Sequence, residues 1–106
     1  MGADGHTASL FPYSQPLTER RRWVVGHQVA RLGKARITLT PPILNRAAEV
    51  RLLVTGADKA GVLKEVLLGP RNPERLPVQR VTPEAGRLMW LLDRAAGAEV
   101  PADRAS

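Results

Sequence analysis

The sequence predicts an α/β fold, a layered structure with a largely parallel sheet, and three observations carry that reading. Residues 50–54 form a near-continuous apolar run, the character of a parallel strand covered on both faces. A helical pattern follows at once, with Val62, Leu63, Val66 and Leu67 on one stripe. A second apolar run then lies at residues 87–92. Strand, helix and strand in that order are the unit from which such sheets are built.

The elements can be justified in chain order. Residues 2–16 are rich in Gly, Ser and Pro and read as loop. Residues 23–25 and 36–40 are short β-branched runs and read as strands. Thr40-Pro41-Pro42 has the form of a helix start: Thr can cap orphan amides, and Pro suits a first turn whose amides lack partners. Ile43, Leu44, Ala47 and Ala48 then share a helical face. After the strand at 50–54, Thr55-Gly56-Ala57-Asp58 has capping-box spacing, with Asp58 expected to reach back to the Thr55 amide. Gly69-Pro70 ends that second helix, and a proline-punctuated segment over 71–83 leads to the last strand. The Ala-rich tail, residues 97–106, is thinly apolar and is expected to fray.

Composition narrows the class. A chain of 106 residues is one domain at most, and 43% hydrophobic residues is ordinary for a folded protein. The absence of cysteine excludes a disulfide scaffold. No apolar run approaches the ~18 residues of a membrane span, and no signal-peptide layout opens the chain, so a cytoplasmic protein without a membrane partner is expected. The net charge of +6 is concentrated where Arg20, Arg21, Arg22, Arg31, Lys34 and Arg36 stand against Glu19. A small nucleic-acid-binding module using Arg20–Arg22 is therefore one alternative. No helix-turn-helix spacing, zinc pattern or aromatic RNA-binding box accompanies the charge, so nucleic acid is not the expected partner.

Chemistry concentrates at the start, in Gly2-Ala3-Asp4-Gly5-His6-Thr7-Ala8-Ser9-Leu10-Phe11-Pro12. Glycine allows left-handed dihedrals and close approach of a ligand, so Gly5 joins the candidate binding residues. His6 can act as general base, with Asp4 as the carboxylate that orients it. A Ser9/His6/Asp4 triad is set aside, because nothing resembles the strained elbow that exposes a nucleophilic Ser. His27 has no such company. No metal-ligand spacing appears, and neither a metal nor a cofactor is expected. Lys59 lies near the start of a helix that follows a buried strand. A cation there is disfavoured by the helix dipole unless an anion docks on the same amides.

Taken together, these segments resemble the glucosamine-6-phosphate isomerase/6-phosphogluconolactonase family. The resemblance rests on the long run from Gly2 to Pro12 and on Arg36-Ile37-Thr38-Leu39-Thr40. It continues through Val54-Thr55-Gly56-Ala57-Asp58-Lys59-Ala60, Leu76-Pro77 and Trp90-Leu91-Leu92-Asp93, in the family's order. It implies a three-layer αβα fold with a mainly parallel or mixed sheet, of which residues 1–106 would be the C-terminal part. The N-terminal part of the domain would be absent. It implies hydrolysis of 6-phospho-D-glucono-1,5-lactone to 6-phosphogluconate, a step of the pentose phosphate pathway, with a sugar-phosphate lactone as small-molecule partner. In that reading His6 draws a proton from the attacking water, Asp4 orients the site, and Arg36 and Lys59 grip the phosphate.

The deaminase/isomerase branch is the enzymatic alternative. Its acid/base glutamate aligns with Phe11, which cannot do that work, so the lactonase branch is favoured. A non-catalytic chain that pairs through an exposed sheet edge is a third reading. With half the sheet and half the phosphate site missing, the isolated chain is expected to be inactive or nearly so. One tension stands: Arg36 begins its expected strand, the wrong edge for a ligand in a simple parallel sheet.

Overall fold

The computed structural model describes residues 1–101. Among the described residues, four strands and two α-helices are arranged as β1 (Val24–Val29), β2 (Lys34–Leu39), α1 (Pro41–Leu44), β3 (Glu49–Val54), α2 (Ala60–Leu68) and β4 (Arg87–Leu92), with short 3₁₀ turns between them. The α/β class is as expected, but the strands do not join into one sheet. Strands β1 and β2 form an antiparallel ribbon, and β3 and β4 form a separate parallel pair.

Several boundaries differ from expectation, each for a physical reason. Strand β1 runs on through Gly26-His27-Gln28, because every residue from Val24 to Val29 has a partner on β2. Strand β2 starts at Lys34, after Gly33 turns the chain at φ +60°. That places Arg36 mid-strand in an antiparallel pair, opposite His27, and removes the tension over its position.

Helix α1 is a single turn. Thr40 does not cap it: its buried hydroxyl lies 2.5 Å from the Arg22 carbonyl and 3.1 Å from that of Trp23, and is spent on the ribbon. The side chain of Asn45 ends the turn by bridging to the loop before β4. Its Nδ2 donates to the Arg80 carbonyl at 2.9 Å, and its Oδ1 accepts from the Thr82 amide at 2.7 Å.

The capping box at Thr55 is also absent. Gly56 takes φ +102°, and its amide is oriented toward the Asp93 carboxylate, 3.2 Å away at the end of β4. Residues Ala57–Lys59 form a 3₁₀ turn, and α2 begins only at Ala60. Of the expected stripe, Leu63 is fully buried while Val62, Val66 and Leu67 are partly so. Of the tail, residues 97–100 are held in turns by Gly97 to Asp93 and Val100 to Gly97 backbone bonds, and residues 102–106, expected to fray, lie outside the described residues.

The core gathers Leu10, Leu17, Val54, Leu63, Leu76 and Val78, each at most 1% exposed. Burying each such side chain is worth about 1.5–3 kcal/mol, and the cluster draws on the first loop, β3, α2 and the segment before β4. The Gln79 side chain is the polar member, satisfied on both atoms: its Oε1 accepts from the Asn72 amide and its Nε2 donates to the Val66 carbonyl.

Two faces stay open. On the parallel pair, Leu53 sits beside Leu91 in register, and these two and Met89 are 40–66% exposed. On the ribbon, Val24, Ile37 and Leu39 are 47–78% exposed. Apolar faces of this extent are what a three-layer fold covers with further elements.

Candidate functional site

The first loop is built around its glycines. The Gly2 amide donates to the His6 carbonyl at 2.9 Å, and the Gly5 amide donates to the Gly2 carbonyl at 3.0 Å. Gly5 has φ +83°, and an added Cβ would touch Leu76 Cδ2 at 3.0 Å. Its carbonyl accepts from the Val78 amide at 2.9 Å, which ties the loop to the core. Gly5, one of the expected substrate-binding residues, is buried, and both its backbone groups are engaged within the protein, so it shapes the turn.

That turn brings Asp4 and His6 together. His6 Nδ1 lies 2.5 Å from Asp4 Oδ1, and the same oxygen accepts from the His6 amide at 3.1 Å. The other carboxylate oxygen, Oδ2, accepts from Arg31 Nη2. Burial pushes the Asp4 pKa up, but the Arg31 guanidinium, the His6 ring and the His6 amide outweigh it and hold the carboxyl at about 2. An ionised Asp4 can only accept, so the proton on the neutral imidazole belongs on Nδ1. The lone pair is then on Nε2, which has no hydrogen-bond partner among the described residues. A base oriented by a carboxylate, with its basic nitrogen free, is ready to draw a proton from water.

Phe11 forms the apolar wall. It is 7% exposed, its ring centroid is 4.6 Å from that of His6, and the Arg31 guanidinium carbon lies 5.0 Å above the same ring. A glutamate in its place would face the His6 ring. The phenyl group leaves only packing there.

The ribbon carries the loop. Ser9 is gripped at both backbone groups, since its amide donates to Thr38 Oγ1 at 3.0 Å and its carbonyl lies 2.9 Å from His27 Nε2. Directly paired residues of an antiparallel ladder project to one face, and so do residues two apart. Arg36 is paired with His27 and stands two residues before Thr38, so it shares the loop-facing side of the ribbon. Its side chain has no partner among the described residues. Lys59 stands at the start of α2, with Nζ 3.1 Å from the Thr55 carbonyl and 3.6 Å from Asp58 Oδ2. The structure thus joins Asp4 to His6, and shows no contact between Arg36 and Lys59.

The alternative basic patch has a different use. The amides of Arg20, Arg21 and Arg22 all donate to Glu19 Oε2. The Arg21 and Arg22 amides, then that of Arg20, keep the Glu19 carboxyl below its usual range. That turn already holds an anion of its own.

Sequence reasoning missed Arg31, Thr38 and His27 as parts of the site. Thr38 and His27 act through Ser9, and Arg31 is far from Asp4 in sequence, so no local spacing marks them.

The chain belongs to the family of glucosamine-6-phosphate isomerases/6-phosphogluconolactonase, whose model matches residues 1–90. It is 43% identical over 98 residues to a 6-phosphogluconolactonase of Synechocystis, covering 92% of this chain and 39% of that relative. It is also 43% identical to the human 6-phosphogluconolactonase, covering 91% of this chain and 37% of that relative. Among solved structures, the devB protein superposes with a TM-score of 0.84 at 31% identity, over 94% of this chain and 42% of that one. The 6-phosphogluconolactonase of Trypanosoma brucei gives 0.78 at 29% identity, over 95% and 40%.

The chain therefore spans about two-fifths of the length of the proteins it matches. The expectation that it is the C-terminal portion of such a protein is not borne out by these matches. The family and the αβα neighbourhood are as the motifs implied.

Proposed function

We propose that this chain serves the hydrolysis of 6-phosphogluconolactone. The observation that carries the reading is the Asp4–His6 pair with a free Nε2, in a chain whose relatives are named 6-phosphogluconolactonase. Water attacks the lactone carbonyl carbon while His6 Nε2 takes its proton. The tetrahedral intermediate then collapses, the ring C–O bond breaks, and the departing alkoxide recovers the proton from His6. A δ-lactone is a reactive ester, so an oriented base and a held substrate supply much of what the reaction needs.

Arg36 and Lys59 bind the phosphate. Arg36 offers an unpaired guanidinium on the loop-facing side of the ribbon, and Lys59 swings from the Thr55 carbonyl toward the anion. Phe11 against His6 supports the lactonase over the deaminase chemistry. No described helix is long and apolar enough to cross a membrane, and a cytoplasmic setting fits a sugar-phosphate substrate. The open faces of both strand pairs, in a chain of two-fifths of its relatives' length, support little or no turnover by residues 1–106 alone.

Binding tests the reading without requiring turnover. Titrating the chain with 6-phosphogluconate, the stable product, is expected to shift the NMR signals of His6, Arg36 and Lys59. Arg36→Ala and Lys59→Ala should each weaken binding roughly 10- to 150-fold, the equivalent of a charge-assisted hydrogen bond of about 1.5–3 kcal/mol. Shifts confined to Arg20–Arg22, or none at all, would overturn the assignment.

A further inference from the structure

The Asp4–His6 pair is not self-sufficient. A carboxylate has two oxygens and rotates about its Cβ–Cγ bond, so either oxygen could face the imidazole. Oδ1 receives both the His6 ring and the His6 amide, while Oδ2 receives Arg31 Nη2. Arg31 is itself placed by two features. It leads into the Gly33 turn joining β1 to β2, and its guanidinium lies 5.0 Å above the Phe11 ring. The same Phe11 ring packs against His6 at 4.6 Å. Arg31, Asp4, His6 and Phe11 thus close a ring of contacts in which each member is held by two others. Glu65 of α2 and Arg75, which line a cleft with Asp4, are paired with each other at 2.8 Å. Arg31 is the Arg or Lys side chain that meets the carboxylate among the described residues.

We infer that Arg31 is a positioning residue of this site: by holding Asp4 Oδ2 from above Phe11, it fixes which nitrogen of His6 carries the proton. The inference deepens the proposed function, and rests on the reading of His6 as the base. Arg31 touches neither the reacting water nor the lactone in this scheme. It acts through Asp4, by holding the carboxylate in one orientation through Oδ2. Lysine could supply the charge but not the planar fork stacked on Phe11, so the two parts of the role are separable. Arg31 also lines a cleft of about 620 Å³ together with Phe11, Tyr13, His27 and Val29.

The experiment is NMR on residues 1–106, comparing the parent with Arg31→Met and Arg31→Lys. At alkaline pH, ring ¹⁵N shifts are expected to show a single Nδ1–H tautomer of His6 in the parent. In Arg31→Met that uniformity is lost, and the Asp4 carboxyl titration midpoint rises by about one unit or more, the usual effect of removing an adjacent Arg. Arg31→Lys should return the Asp4 midpoint most of the way while leaving the tautomer mixed. Amide spectra outside residues 2–11 and 27–33 report whether the variants stay folded; if Arg31→Met does not, Arg31→Lys alone decides through its tautomer. A parent tautomer retained in the folded variants would overturn the inference, whatever the Asp4 midpoint does. Because neither readout needs hydrolysis or ligand binding, failure of the lactonase reading shows in the 6-phosphogluconate titration and failure of the Arg31 role shows here.

Discussion

Thr38→Val tests whether the ribbon carries the loop. Thr38 is 3% exposed, and its hydroxyl accepts from the Ser9 amide at 3.0 Å while donating to the Leu39 carbonyl at 2.8 Å. Valine keeps the shape and removes both functions, leaving the Ser9 amide with no acceptor in a part-buried position. An unmade bond of this kind costs about 1–3 kcal/mol. Against that stands a gain of a few tenths to ~1 kcal/mol from the strand preference of valine. The net expectation is a loss of about 1–2 kcal/mol, which corresponds to roughly 5- to 30-fold in the equilibrium between closed and open loop.

Two assays read it. Urea unfolding should give a lower midpoint with an unchanged slope. Hydrogen exchange at the Ser9 amide should accelerate by the same roughly 5- to 30-fold factor, with core amides such as Val54 less affected. Thr38→Ser, which keeps the hydroxyl, should recover most of the loss. A neutral Thr38→Val with unaltered Ser9 exchange would refute the argument that the ribbon holds the loop through this bond.

Further outcomes follow from the same loop. The Asp4 pKa is lowered from 3.8 to about 2, so its contribution to stability is present above pH 3.8 and is lost as pH falls toward 2. With Arg31 54% exposed, solvent screening reduces that contribution to about 1 kcal/mol; acid unfolding of Asp4→Asn should lack this step, and an identical acid profile for parent and variant would count against it. In Gly2→Ala the new Cβ would lie 2.2 Å from His6 Cε1 and 2.3 Å from Nδ1, so the ring must move away from Asp4. A charge-assisted hydrogen bond of about 1.5–3 kcal/mol is at stake, so the melting temperature should drop and the His6–Asp4 ring signature should vanish. A Gly2→Ala protein that melts like the parent and keeps the signature would show that the loop yields instead.

Much of the fold was legible because it is written in local patterns. The apolar run at 50–54 became β3 with one added residue, and residues 87–92 became β4. The pairing between them was foreshadowed by the intervening helix. Capping was less legible. Thr40 and Asp58 have side chains that suit a helix start, yet the Thr40 hydroxyl faces the Arg22 and Trp23 carbonyls, and Gly56 faces Asp93 instead. A short polar side chain takes the nearest acceptor the tertiary structure offers, and sequence gives no account of what arrives from 17 or 37 positions away.

The sequence by itself determined which residues meet at short range. Asp4 and His6 are two apart, with Gly5 at φ +83° between them and Gly2 leaving room for the His6 ring, so their pairing needs little beyond the local chain. It also determined the family, since the Gly2–Pro12 run and the segments after it are specific in order and spacing. Only the tertiary structure decided that Arg31 closes on Asp4, that Thr38 and His27 grip Ser9, and that Arg36 projects from the middle of an antiparallel strand. Those contacts join separate segments through strand register and core packing, and neither is a property of any single stretch of chain.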